Sequence, residues 1–478
     1  MLGSKKMNNN EEKGIGKLGL IALIISSSIG AGAFGITSDL ARVASGGPAL
    51  LAWLIVGLGV FFFVISLLNL SRKRQDLNAG LFVFAQEGFG RLAGFISGWS
   101  YWLAAGIGNI ALATMMMSAL GNFFPIFGNG QNIASILGAT VCIWMLTYLV
   151  NRGVESATII NTVVMICKLI PLFVFVVVMM LAFKTGMFAK NFWLNVGENL
   201  SAAPSLNLFT QIKGSLLIMM WLFVGVEGAT VLANRAKRRA DAYQATYIGL
   251  LSLLLIYIFV SILPYGVMSQ SQLMQGGQPA IAAILRHVVG EWGAIVINIG
   301  LIISVAGAWL SWTLLPAEVA TLMTQNKLLP KYWGELNDHG APTISLVIAG
   351  IMQTIFVWSM LFTTQAYTFA YTLCTSAYIL CYLLVALYQI QYSWQQREYL
   401  QLFIGVMASI FQAGAIILAS LHYLWLMTIA FVPGFYFFYQ ACKQEQQPMT
   451  KHEKLSILVI AIFALCALVA LGLGKVQL

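Results

Sequence analysis

Long apolar runs separated by short polar stretches dominate the chain, and most of the runs are longer than a buried soluble helix needs. Windows of about 20 apolar residues, enough to cross roughly 30 Å of hydrocarbon, recur about thirteen times. They fall near 18–42, 49–70, 93–119, 132–150, 158–183, 213–233, 245–267, 292–318, 342–361, 367–390, 400–421, 423–439 and 455–473. The pattern predicts an all-α polytopic membrane protein with a polar N-terminal tail over 1–17. Composition agrees: 59% of the 478 residues are hydrophobic and only 9% are charged, too few for a soluble domain of this size. The first run continues past signal-peptide length without an A-x-A cleavage pattern, so it reads as a retained span.

Lysine and arginine set the orientation. One set of loops carries Arg72, Lys73 and Arg74, then Arg152, Arg235 to Arg239, Lys327 and Lys331, Arg397, and Lys443 to Lys454. The opposite set carries chiefly Lys184, Lys190, Lys213 and Arg286. The asymmetry predicts a plasma (inner) membrane protein with a cytoplasmic N-terminus. It accounts for the net charge of +10 without a nucleic-acid partner. The six cysteines fall mostly inside spans with no C-x-x-C pair and read as small apolar residues, not as metal ligands.

Two runs are interrupted. Residues 26–35 read Ser-Ser-Ser-Ile-Gly-Ala-Gly-Ala-Phe-Gly, and residues 221–229 read Trp-Leu-Phe-Val-Gly-Val-Glu-Gly-Ala. Glycines and hydroxyls weaken a helix and free backbone groups, which a bilayer tolerates only around a cavity or inside protein. Close helix packing through small residues is the other reading of the first stretch. The breaks fall in spans one and six, as an inverted repeat of five plus five helices requires. The expected division is a transport core over 18–390 and additional C-terminal spans over 391–478. Half-helix N-termini would face a carboxylate and free carbonyls an ammonium, which suits a zwitterionic amino acid.

Isolated polar residues add candidates. Tyr101, Trp102, Ala105 and Asn109 share one face of the third span, and Asn109 either admits a ligand or bonds a neighbouring helix. Lys168 in the fifth span and Glu227 in the sixth are ionisable groups at membrane depth, which by default mark function; snorkelling is the bland reading of Lys168. The connection over 76–90 is glycine-rich and moderately apolar, so it reads as partly embedded.

Several motifs carry a family resemblance: Gly30 to Phe34, Tyr101 to Asn109, Trp221 to Glu227 and Gly307 to Leu315. Together they resemble the basic amino acid/polyamine antiporters of the amino acid–polyamine–organocation superfamily over essentially the whole chain. Within that family the Gly225 to Ala229 run, Arg235-Ala236 and a thirteenth span resemble the arginine/ornithine antiporter group. The resemblance implies that Ser26, Ser27 and Gly30 to Gly32 hold the substrate carboxylate. It places the amine against carbonyls near Leu23, Trp221 and Val224. Trp312 would pack on the aliphatic chain, Asn109 would meet the distal head, and tenth-span hydroxyls such as Thr375, with Thr372 and Ser376, would assist. Glu227, Tyr101 and Trp221 are implied in gating and coupling, and Lys168 in the place of a bound cation. Gly106 stands where an aromatic is common, so the expected side-chain pocket is larger or differently shaped.

The implied activity is arginine/ornithine exchange by alternating access; amino acid/amine pairs such as histidine/histamine, lysine/cadaverine or arginine/agmatine are the alternatives. The expected partners are amino acids or amines and membrane lipid, with the later spans offering homodimer surfaces. No cofactor or metal is expected, since the chain has no phosphate-binding G-x-x-x-x-G-K-[ST]. The polar points are too isolated to line a channel. The four histidines lie near span ends without a nucleophile or metal-ligand spacing, which argues against an enzyme.

Overall fold

The computed structural model describes residues 17–77, 80–153, 158–193, 207–227, 239–363 and 365–474; within these, the side chains at 19, 22–23, 26–27, 158–167 and 239–242 lie outside the description. The first span is two short helices, α1 (Lys17–Ser28) and α2 (Gly32–Val43), separated at Ile29 to Ala31. Then come α3 (Gly46–Lys73), α4 (Leu81–Phe89), α5 (Arg91–Gly121), α6 (Ile133–Asn151) and α7 (Thr158–Ala182). The short α8 (Thr185–Phe192) bends away from α7 by 98°. The sixth span begins as α9 (Leu208–Trp221) and gives way to irregular turns through Glu227. It is followed by α10 (Arg239–Ile262), two short helices α11 (Gln270–Gln275) and α12 (Ala280–Val289), and the long α13 (Glu291–Gln325). Helices α14 (Thr343–Ser359), α15 (Ala366–Gln396), α16 (Tyr399–Ala415), α17 (Leu421–Gln444) and α18 (Lys451–Gly472) complete the chain.

Among the described residues, nine helical stretches are long and apolar enough to cross a membrane, or ten if the bent α7–α8 pair is one span. The expected thirteen is therefore not reached by length. The shortfall lies in the first and sixth spans, which are interrupted, and at Tyr399–Gln444, a 46-residue stretch in which α16 and α17 join through a π-helical turn at Ile416–Ser420. A straight helix of that length would run about 70 Å. Its two ends instead share one face of the protein. Glu398 pairs with Lys73 at 2.7 Å and Glu445 with Lys327 at 3.1 Å. Arg74 reaches Glu87 at 3.1 Å, and Arg91 pairs with Glu453 at 2.7 Å. The stretch thus turns back near the π-helical segment, matching the separate runs read at 400–421 and 423–439.

Which helices touch reveals the repeat. The first-span helix α1 packs on the seventh, α10, as the sixth, α9, packs on the second, α3. The third, α5, packs on the tenth, α15, as the eighth, α13, packs on the fifth, α7. Helix α6 pairs with α14, the fourth with the ninth. Each pairing maps onto another when five is added to the span number. Because every span reverses direction, the two halves are related by an inverted repeat. Helix α5 lies at the centre, with 89% of its apolar window buried against 11% for α18. Small residues permit this: a Cβ at Gly98 would lie 2.6 Å from Met323 Sδ, so at the α5–α13 contact the Met323 side chain packs directly over glycine. The 76–90 connection contains α4, whose Leu81 to Ala85 are buried, as its glycines and apolarity predict.

Candidate functional site

The two breaks face each other. After Ser28 the chain leaves helical geometry and re-enters it at Gly32, so the first turn of α2 presents backbone N–H groups with no side-chain cap. At the other break, Gly225 adopts φ +96°, a left-handed conformation that favours glycine and lets the chain turn out of α9. The Tyr257 hydroxyl of α10 lies 2.9 Å from Ser28 O and 3.0 Å from Leu222 O, sharing its proton between carbonyls of the two breaks. Between them lies a cavity of about 40 Å³ lined by Ser28, Gly30, Gly32, Trp221, Val224 and Trp312, among others. The cavity is therefore bordered by the uncapped amides of α2 and by residues of both breaks, with the Trp221, Tyr257 and Trp312 rings among its lining.

Small residues let the breaks meet. A Cβ at Gly32 would lie 2.8 Å from the Trp221 indole, closer than real Cβ atoms come, while one at Gly108 would touch the far edge of the same ring at an ordinary 3.5 Å. Trp221 is thus clamped between the first break and α5, with Tyr371 of α15 stacked on it at 6.0 Å. Gly30 differs, since a Cβ there would meet nothing within 4 Å. It opens onto the cavity.

Glu227 is buried on the Lys/Arg-rich side of the cavity. Its Oε1 accepts from the Tyr101 hydroxyl at 2.9 Å, and its Oε2 from the Tyr382 hydroxyl at 2.6 Å and the Gly225 N–H at 3.1 Å. Three donors from three spans thereby converge on one carboxylate. Lys168 is buried and donates from Nζ to Ile29 O at 3.2 Å, so the fifth span reaches the first break. It does not snorkel.

Asn109 is placed differently from the implied contact with a substrate head. Pro316 has no N–H, which leaves Trp312 O without its helical partner. The Asn109 Nδ2 of α5 donates to that carbonyl at 3.1 Å and lies 3.5 Å from Gln353 Oε1. Asn109 therefore holds the backbone of Trp312, and Trp312 itself lines the cavity. Thr375 is not brought to the cavity wall: its hydroxyl donates to Tyr371 O one turn back at 2.6 Å, and Thr372 and Ser376 bond their own helix in the same way. The side chains of Ser26, Ser27 and Leu23 lie outside the described residues; the hydroxyl seen at the cavity is that of Ser28. A Cβ at Gly106 would fall 2.2 Å from Met352 Cε, so Met352 fills the space expected to enlarge the pocket.

Three contributors were not singled out from sequence. Tyr257 and Tyr382 look like ordinary core aromatics until packing places their hydroxyls. Asp39 in α2 is a buried carboxylate within 18–42, and the rule that marks Lys168 and Glu227 marks it as well.

The amino acid permease family matches residues 15–463. The chain is 50% identical to an arginine/ornithine antiporter of Latilactobacillus sakei, over 97% of this chain and 98% of that protein. It is 40% identical to the arginine/ornithine antiporter ArcD1 of Lactococcus lactis subsp. cremoris, over 96% and 90% of the two chains. An arginine/agmatine antiporter of Chlamydia caviae is 34% identical over 98% of both. A polytopic helical fold with two opposed helix breaks and near full-length similarity to such carriers leads to one conclusion: the chain belongs to the amino acid permease family.

Proposed function

We propose that the chain exchanges arginine for ornithine across the plasma (inner) membrane by alternating access, with thirteen spans and a cytoplasmic N-terminus. The observation that carries this reading is the cavity between the two breaks, bordered by the uncapped amide donors of α2 and by the Ser28 and Leu222 carbonyls that Tyr257 holds together. An α-carboxylate suits the first and an α-ammonium the second. The printed activities of the relatives supply the substrate pair, and the Trp312 and Trp221 rings suit a long aliphatic chain ending in a cation.

Closure follows from the same residues. Trp221 and Tyr257 tie the breaks together, while Glu227 ties the sixth span to the third and tenth through Tyr101 and Tyr382. Emptying the site leaves the uncapped amides of α2 without a ligand in a low-dielectric setting, which disfavours reorientation of the unloaded carrier and makes exchange obligatory. Lys168 on Ile29 O supplies a fixed cation at the first break, so exchange proceeds without sodium. Arginine and ornithine carry equal charge, and concentration gradients alone drive their exchange.

Counterflow in proteoliposomes tests the reading. Labelled arginine should enter against internal ornithine, without sodium stimulation and independently of membrane potential. Uptake only against agmatine, with a rate that follows the potential, would replace the pair with the precursor/product exchange named for the Chlamydia relatives; stimulation by sodium would remove the role given to Lys168.

A further inference from the structure

We propose that Asp39 forms a second cation-binding site that receives the side-chain ammonium or guanidinium of a basic amino acid between the outer face and the central cavity. The inference rests on the reading that the chain carries basic amino acids. Asp39 lies seven residues beyond Gly32 on α2, about 10 Å further toward the face opposite the Lys/Arg-rich loops. Its side chain is 4% exposed, and a carboxylate so buried within a span is retained against a high desolvation cost.

Its partners satisfy it incompletely. Gln278 Nε2 donates to Oδ1 at 3.0 Å, and the nearest cation, Arg42 Nη1, stands 3.8 Å from that same oxygen. Arg42 is 35% exposed and turns its Nε to Met274 O at 3.4 Å. No described residue bonds Oδ2. Among the described residues the only counter-charge is thus a loosely held guanidinium, the group that arginine itself would bring.

Aromatic rings lead from the start of α15 to the cavity. Tyr367 packs on Tyr371 at 5.1 Å, and Tyr371 stacks on Trp221 at 6.0 Å. Ring faces attract ammonium and guanidinium groups at such distances. An entering cation would displace Arg42, bind Asp39, and pass along these rings to Trp221 at the cavity wall. The simpler role for Asp39 is to tether α2 to Gln278, which also bonds Gly35 O and Ser38 Oγ at 3.3 Å.

Asp39→Asn separates the two roles, since the asparagine oxygen still accepts from Gln278 while the charge is gone. Arginine exchange is measured in right-side-out and inside-out membrane vesicles. Capture by the charge predicts an outer-face KM raised about tenfold, a maximal rate within about twofold of wild type and an unchanged inner-face KM. Arg42→Gln, which removes the competing guanidinium, should lower the outer KM, and it reports independently if Asp39→Asn does not fold. An outer KM unmoved by Asp39→Asn, an equal rise on both faces, or a rise with Arg42→Gln would overturn the proposal. Wild-type arginine uptake driven only by an amine would overturn the exchange pair and leave this test intact. No uptake of any basic amino acid would overturn both.

Discussion

Two buried carboxylates flank the central cavity, and their surroundings differ in kind. Glu227 accepts from two phenols and one backbone N–H, each at 3.1 Å or less. Asp39 accepts from one amide, with its nearest cation at 3.8 Å. A saturated carboxylate locks helices together, because removing it strands its donors. An under-committed one keeps an oxygen for something that comes and goes. The same chemical group therefore serves as a latch on one side and as a receptor on the other, and the difference lies in the donors that packing delivers.

The largest effect is expected at the latch. Glu227→Ala leaves the hydroxyls of Tyr101 and Tyr382 and the Gly225 N–H without their acceptor, at about 1–3 kcal/mol each where burial is complete. Exchange should fall at least about a hundredfold while the protein remains folded by size-exclusion chromatography, with Glu227→Gln falling less. Uptake near the wild-type rate in Glu227→Ala would remove the latch from the account. Asp39→Asn is the contrasting case, with its effect confined to one face and to KM.

A smaller change is expected at Asn109. Asn109→Ala strands Trp312 O beside Pro316, so thermal stability should drop by an amount equivalent to about 1–3 kcal/mol. Arginine affinity should change mainly through a displaced Trp312. A strong loss of affinity with unchanged stability would instead mean that the amide touches substrate.

What the sequence made legible is local. The breaks announce themselves because glycine and serine are unusual in mid-span, and Glu227 and Lys168 because charge is. Both end up beside the breaks, with Tyr101 on Glu227 and Lys168 on Ile29 O. Partnership was not legible. Tyr257 and Tyr382 are aromatic residues in aromatic-rich spans, and only packing between spans turns their hydroxyls toward Leu222, Ser28 and Glu227. Thr375 shows what span membership alone leaves open: its hydroxyl donates to its own helix one turn back. For Asn109 the sequence offered a ligand contact or a bond to a neighbouring helix, and the particular helix partner, a carbonyl freed by Pro316, can be recognised only once α5 and α13 are known to touch. The turn that divides Tyr399–Gln444 shows in the hydropathy but not in helix continuity, since a π-helical turn carries the backbone through it.

The most direct test of the central claim fills the space between the breaks. Gly30 lines the cavity, and a Cβ there would meet no protein atom within 4 Å. Arginine binding to purified Gly30→Leu protein is therefore the measurement of choice, by calorimetry beside wild type. The account predicts a folded protein of wild-type thermal stability that no longer binds arginine. Binding at wild-type affinity in the folded variant would place the substrate elsewhere and contradict it.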